Sequence, residues 1–346
     1  MAGTGWGTAT RDDDGLCVVK IVQTAGLDTE ADRFDGATFE EAMRLAADAG
    51  KLKSSCLEKQ IAFLARSLPD AQAGGDVELP RDSESTSARA EGRLFPTITS
   101  LISALVHETQ RERGVSSLYV SSGGHVFGAE LKQQWAHTDE RRAQLAAFRA
   151  SGPVGFPRTL AFRLERAEDM LATLVDGRDE IVALKRTTAA LIDDYTAINL
   201  ELLGIVDELA GRPVLARSRS AVLAWMALLH AKEKTGLERA QLSTVFMNDH
   251  FGDGQHAQLS GLIAARHSYL HLFSVAAPQL ARDLMQRMLK SPIEQAVSDM
   301  EQIALNRQNG GFGIDPAAWF TTISYKIDSL GEMEAAVRVS LAPNAG

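Results

Sequence analysis

From residue 96 onward the apolar positions recur every third or fourth residue, the spacing that lines one face of an α-helix. Thr97–Ser122 is apolar at Ile98, Leu101 and Leu105, then again at Leu118 after a polar middle, and Gly123-Gly124 closes it. The same period predicts helices over about 129–151, 157–174, 178–209 and 213–246, then over 255–273, 277–308 and 316–341. Gly252-Asp253-Gly254 and Gly310-Gly311 mark turns between them. No alternating β-branched run of strand type interrupts this part. Long amphipathic helices joined by short loops pack as antiparallel bundles. About eight helices in roughly 250 residues therefore predict an all-α fold of two packed up-and-down four-helix bundles.

The chain before this region reads differently. Residues 1–68 form a small acidic N-terminal module, expected to be helical. Thr38 and Glu41 have the spacing of a capping box, and Phe39, Met43, Ala46 and Ala49 follow at helical spacing. Gly50 interrupts, and the period resumes from Leu52 to Leu68 through Cys56, Ile61 and Leu64. Only Cys17–Val22 has the character of a short strand. Residues 69–95 hold Pro69, Gly74, Gly75, Pro80 and the polar run RDSESTSARAEG, which predicts a flexible linker. The expected domains are thus 1–68, a linker at 69–95, and a helical domain at 96–346.

Charge and composition narrow the function classes. The 36 basic and 45 acidic residues give a net charge of -9, which argues against broad phosphate-backbone binding. Aromatics make up 6%, little material for base stacking. Cys17 and Cys56 form no CxxC pair, so a reducing compartment is expected. No uncharged apolar run reaches the ~18 residues of a membrane span. Asp12–Asp14 stand where a signal peptide would have its apolar segment. These features predict a cytoplasmic protein that meets neither membrane nor nucleic acid directly.

One internal repeat carries polar chemistry. Glu112-Arg113-Gly114-Val115-Ser116-Ser117 recurs 126 residues later as Glu238-Arg239-Ala240-Gln241-Leu242-Ser243. In each copy the serine follows the arginine by four residues, so hydroxyl and guanidinium share a helix face. Gly114 lies inside the first helix and Gly236 inside the second, where glycine costs about 1 kcal/mol relative to alanine. Such glycines mark places where a ligand or a neighbouring backbone comes close. Two arginines facing each other across a small cavity would need an anion between them. The guanidinium fork suits a planar oxyanion such as nitrate. The alternative is that each arginine pairs with a glutamate on its own or a neighbouring helix and the serines are incidental.

At these residues the chain resembles the nitrate- and nitrite-sensing domain family. Gln110-Arg111-Glu112-Arg113-Gly114-Val115-Ser116-Ser117, with Leu118-Tyr119 and Ser122-Gly123-Gly124, is similar to the signature of the family's first helix. Lys232-Glu233-Lys234-Thr235-Gly236-Leu237-Glu238-Arg239-Ala240 resembles the second signature. Trp319-Phe320 with Ile327-Asp328-Ser329-Leu330 resembles the third, and all occur in the family's order over roughly residues 97–340. The resemblance implies two up-and-down four-helix bundles and an anion, nitrate or nitrite, held by Arg113 and Arg239. Helix-face geometry adds Gly114, Ser117, Gly236 and Ser243 around them. Lys234 and Thr235 stand where the family favours small residues. Many members place the sensor between membrane spans, and others join it to an RNA-binding antiterminator module. Neither is expected here, where 16 residues follow Leu330.

The expected function is a cytoplasmic nitrate or nitrite sensor, not an enzyme, that needs no cofactor. Residues 1–68 would meet a regulatory partner or a second copy of the chain. A helical scaffold working by protein contacts alone is the alternative. Other candidates are weaker. His267 and His271 are four apart with His250 and His256 nearby, yet no acidic or cysteine cluster completes a zinc set, so no metal site is expected. No phosphate-binding loop, nucleophile elbow or Cys–His pattern is visible. Trp135, Trp225 and Trp319 read as packing residues, and His107, more than a helical turn before Arg113, as a surface residue.

Overall fold

The computed structural model describes the backbone of residues 5–11, 17–23, 31–36, 86–152, 158–212, 215 and 218–341, with side chains from residue 94 onward. The chain divides into two compact units, Met1–Arg81 and Asp82–Gly346.

The first unit contains three strands, β1 (Gly5–Arg11), β2 (Cys17–Gln23) and β3 (Ala31–Gly36). They form an antiparallel meander in which Thr8 pairs with Lys20 and Val19 with Phe34. The expected helical module thus contains a sheet: β2 covers the run Cys17–Val22 that reads as a strand, and β1 and β3 were not expected. The β-branched run of β2 was legible, but β1 intersperses glycines and threonines and β3 carries charges, so neither shows an apolar alternation. The helices expected over 39–68 lie outside the described residues.

The described part of the second unit is all-helical, with ten helices. They are α1 (Thr86–Ser121), α2 (Gly128–Ala150), α3 (Arg158–Asp176), α4 (Arg178–Val182) and α5 (Thr188–Ala210). Then come α6 (Arg219–Asn248), α7 (Gln255–Ala276), α8 (Gln279–Leu289), α9 (Pro292–Asn306) and α10 (Pro316–Leu341). Two expected long helices are each broken in two. Thr187 caps α5 by accepting from Ala190 N, after a turn in which Leu184 is left-handed. Ser291 caps α9 by accepting from Glu294 N, with Pro292 at the first helical position. Ser-Pro-x-Glu is an N-terminal signal that the apolar period alone conceals.

Helix α1 begins at Thr86, inside the expected linker, and runs through Pro96. Packing outweighs the lost backbone hydrogen bond. Phe95, fully buried, meets Trp225 edge-on with ring centroids 6.1 Å apart, and Ile98, Ile102 and Leu105 continue that face. The run 81–92 lacks large apolar residues but has no proline after Pro80 to stop a helix.

Helix α6 is the axis of the unit. It packs against α1, α5, α7 and α10, and 21 of its 30 residues are buried, so it has no solvent face. Its first half, Val222–Ala231, joins the larger apolar core with α1, α3 and α5. Its last part, Leu242–Phe246, joins a second core with Leu259, Val297, Phe312, Trp319 and Ile323. Between the two lies a buried polar layer containing Lys232, Glu233, Gly236, Glu238 and Arg239, facing Thr109–Ser117 of α1. No described helix is long and apolar enough to cross a membrane.

Candidate functional site: two buried arginines at the α1–α6 contact

Burying charge in this layer is costly unless each group finds partners. The two glutamates of the repeat do so in parallel ways. Glu112 receives Arg178 Nε and Nη2 at 2.9 and 3.0 Å and the Tyr195 hydroxyl at 2.8 Å, while Arg178 Nη1 reaches Asp139 at 2.8 Å. Glu238 pairs with Arg266, whose Nη1 and Nη2 also hold Glu301 at 2.9 and 3.0 Å. Each repeat glutamate thus belongs to an acid–arginine–acid triad. Burial pushes the Glu238 carboxyl up against the pull of Arg266, and the neighbouring Glu301 adds to the rise. For Glu301, Arg266 outweighs burial and holds the carboxyl below its ordinary range.

The two arginines share part of this symmetry. Arg113 Nη1 donates to Thr196 Oγ1 at 3.0 Å, and Arg239 Nη1 donates to Ser324 Oγ at 2.9 Å. Both hydroxyls in turn donate to the carbonyl one turn back on their own helix. Each arginine lies against the glycine of the opposite helix. A Cβ on Gly114 would fall 3.2 Å from Arg239 Nε and 2.8 Å from Phe320 Cε2, and one on Gly236 would fall 3.1 Å from Arg113 Nη2. A side chain at position 114 would overlap the Phe320 ring, and one at position 236 would crowd Arg113 and Gln110.

The symmetry fails in charge. Arg113 Nη1 forms a 2.7 Å ion pair with Glu233. Arg239 has no carboxylate within ion-pair distance among the described residues; the Phe320 ring lies under it, 4.9 Å from its Cζ, and Trp319 Nε1 donates to its carbonyl at 3.1 Å. The position one repeat before Glu233 is His107, which is half-buried, not on the surface as expected. Burial, then the charges of Lys232 and Arg239, push His107 down to about 3. Burial, then Arg111 and Arg113, push Arg239 down to about 9. Nε and Nη2 of both Arg113 and Arg239 are buried without a hydrogen-bond partner among the described residues. Of the two facing guanidiniums, Arg113 is thus paired with a carboxylate and Arg239 is not, which leaves one excess positive charge among Arg113, Arg239 and Glu233.

Of the sequence-derived residues, the structure brings together Arg113, Arg239, Gly114 and Gly236. Ser117 turns back to donate to the Arg113 carbonyl at 2.6 Å, since a helical serine bonds its own preceding turn. Ser243 is buried and its hydroxyl has no partner among the described residues. Glu233, Thr196, Phe320 and Ser324 were not singled out as site residues. Glu233 and Phe320 lie in the second and third signatures, but nothing in the sequence places Thr196 or Ser324 against an arginine. No group of three or more metal-ligating side chains occurs among the described residues.

The family described as nitrate and nitrite sensing matches residues 104–342. The chain is 26% identical to the nitrate regulatory protein of Klebsiella oxytoca over 246 residues, 71% of this chain and 62% of that relative. The solved structure of the NasR transcription antiterminator is similar in fold, with a TM-score of 0.65 at 22% identity over 82% of this chain and 73% of that one. These relatives are named as regulators and not as enzymes. The antiterminator overturns the expectation of no direct nucleic-acid contact. That expectation rested on a whole-chain charge of -9, whereas phosphate binding depends on local charge. With the family match over residues 104–342, the chain belongs to the nitrate- and nitrite-sensing family.

Proposed function

We propose that this protein senses nitrate or nitrite by holding the anion between Arg113 and Arg239, and acts as a regulator without a cofactor. The observation that carries this reading is the set of four unpartnered guanidinium nitrogens on two fully buried arginines. Forked N–H donors in a water-poor layer bind a planar oxyanion through short, charge-assisted hydrogen bonds. The anion neutralises the excess charge and ties α1 to α6. In our reading these two helices belong to two up-and-down four-helix bundles, and anion binding changes how the bundles are set. The shift is set by the difference in affinity between the two settings. Residues 1–68 carry the change to a regulatory partner or a second copy of the chain, in the cytoplasm.

A second reading is favoured by the Arg113–Glu233 pair, which bridges α1 and α6 without any anion. On that reading the domain is a scaffold that works by protein contacts alone. Thermal unfolding against nitrate, nitrite, chloride and sulfate at equal ionic strength separates the two. An anion at 100 times its Kd stabilises by about 2.7 kcal/mol, roughly 5 °C or more in Tm. The sensor reading expects that rise with nitrate or nitrite, none with chloride, and none in Arg113→Ala or Arg239→Ala. A flat response to all four anions leaves the scaffold.

A further inference from the structure

We propose that Glu233 fixes the charge of the anion the site accepts, cancelling one of the two buried guanidinium charges so that a monoanion balances the rest. This rests on the sensor reading above and adds a specificity-determining residue to it.

Glu233 is fully buried, and both its oxygens are engaged. Oε1 accepts from Arg113 Nη1 at 2.7 Å. Oε2 accepts from Gln110 Nε2 at 2.7 Å and from Asn199 Nδ2 at 3.1 Å. Asn199 is itself held, since Thr109 Oγ1 donates to its Oδ1 at 2.5 Å. Three donors, one of them the Arg113 guanidinium, hold the carboxylate in one place. Its place is not dictated by the repeat, because the equivalent position in the first copy is His107, a residue without formal charge at neutral pH. The remainder of the cradle is matched between copies, in the Thr196 and Ser324 hydroxyls and in the two glycine contacts. Among the features that differ between the copies, which include the Phe320 ring under Arg239, Glu233 is the one that sets net charge.

Arg111 and Asp328, which also act on Arg239, are both solvent-exposed and of opposite sign. Among Arg113, Arg239 and Glu233 the balance is one excess positive charge, and buried Lys232 is paired separately with Glu334. A singly charged oxyanion brings it to neutrality. A dianion overshoots and leaves an uncompensated negative charge in a dry layer, which is strongly unfavourable. Without Glu233 the balance would favour the dianion.

The test is calorimetric titration of the full chain with sodium nitrate and sodium sulfate, in wild type, Glu233→Gln and His107→Glu. Glutamine keeps the shape of glutamate, and the Gln110 and Asn199 amides can turn to present oxygens to it. Wild type should bind nitrate and not sulfate. Glu233→Gln should bind nitrate roughly tenfold more tightly or better, the effect of one close charge removed, and should take up sulfate. His107→Glu supplies Arg239 with the carboxylate that it lacks and should abolish nitrate binding while circular dichroism stays helical. Glu233→Gln that binds nitrate no tighter than wild type and still refuses sulfate overturns the charge role. Wild type that binds no nitrate overturns the sensor reading itself, before any variant is considered.

Discussion

The first copy of the Glu-Arg repeat, on α1, and the second, on α6, are held by matching contacts up to a single point. Glu112 and Glu238 each sit in an arginine-centred triad, and Arg113 and Arg239 each donate to a hydroxyl and press on a glycine of the facing helix. Arg113 then has Glu233, while Arg239 has the Phe320 ring and Ser324 and no carboxylate partner among the described residues. The matched contacts bind the helices together, and the mismatch stores an unbalanced charge. Two residues adjacent in sequence thus differ in their partners: the glutamate in each copy is held by an arginine of another helix, and of the arginines beside them only Arg113 has a carboxylate partner among the described residues.

The largest effect is expected where the matched contacts are cut. Arg266→Ala leaves Glu238 and Glu301 buried against each other and should cost about 3–5 kcal/mol in urea unfolding. A loss below about 1 kcal/mol would show that the triads do not hold the layer.

Next in size is the contrast between the arginines themselves. Arg113→Met strands the Glu233 carboxylate and should cost about 3 kcal/mol. Arg239→Met removes a charge with no carboxylate partner at nearly constant volume and should change stability by less than about 1 kcal/mol. Equal losses in denaturation would erase the distinction drawn between the copies.

A smaller change is expected at the glycine contact. Gly114→Ala gains about 1 kcal/mol of helix propensity but drives a methyl into Phe320, at a cost of about 1–3 kcal/mol. The net loss should be near 1 kcal/mol. The rise in Tm with nitrate should nonetheless vanish, because Phe320 and Arg239 are displaced together.

A separate effect is read through pH. The fold holds His107 neutral down to about 3, through burial and then the charges of Lys232, Arg239, Arg111 and Arg141. The unfolded chain takes up that proton near 6.5. This contribution to stability is therefore complete above 6.5 and is lost as pH falls from there toward 3. His107→Gln should lose less stability than wild type between pH 7 and pH 5, measured by urea unfolding at both. Identical losses would mean that His107 is not shielded.

Much of the second unit was legible because burial there follows the helical period. Ile98, Leu105 and Leu118 of the expected face of α1 are fully buried, while Leu101 is half-buried. The misjudged places have local causes. Phe95 is one apolar residue beside a proline at the end of a polar run, too little periodicity to show, although it packs on Trp225. The break before α9 was written in Ser291-Pro292 and masked by the continuing apolar spacing. In the first unit, β1 shows no alternation and so no strand signal.

The repeat, the two arginines and the two interior glycines are sequence features, since helical spacing alone puts them on faces that must be buried or used. Which partner each buried charge finds is a different kind of fact. Arg178 reaches Glu112 across 66 residues and Glu233 reaches Arg113 across 120, while Ser324 comes to Arg239 from 85 residues away. Local periodicity carries no information about such pairs. They follow from how α6 threads between α1, α5, α7 and α10, and only that packing decided that one arginine is neutralised and the other is not.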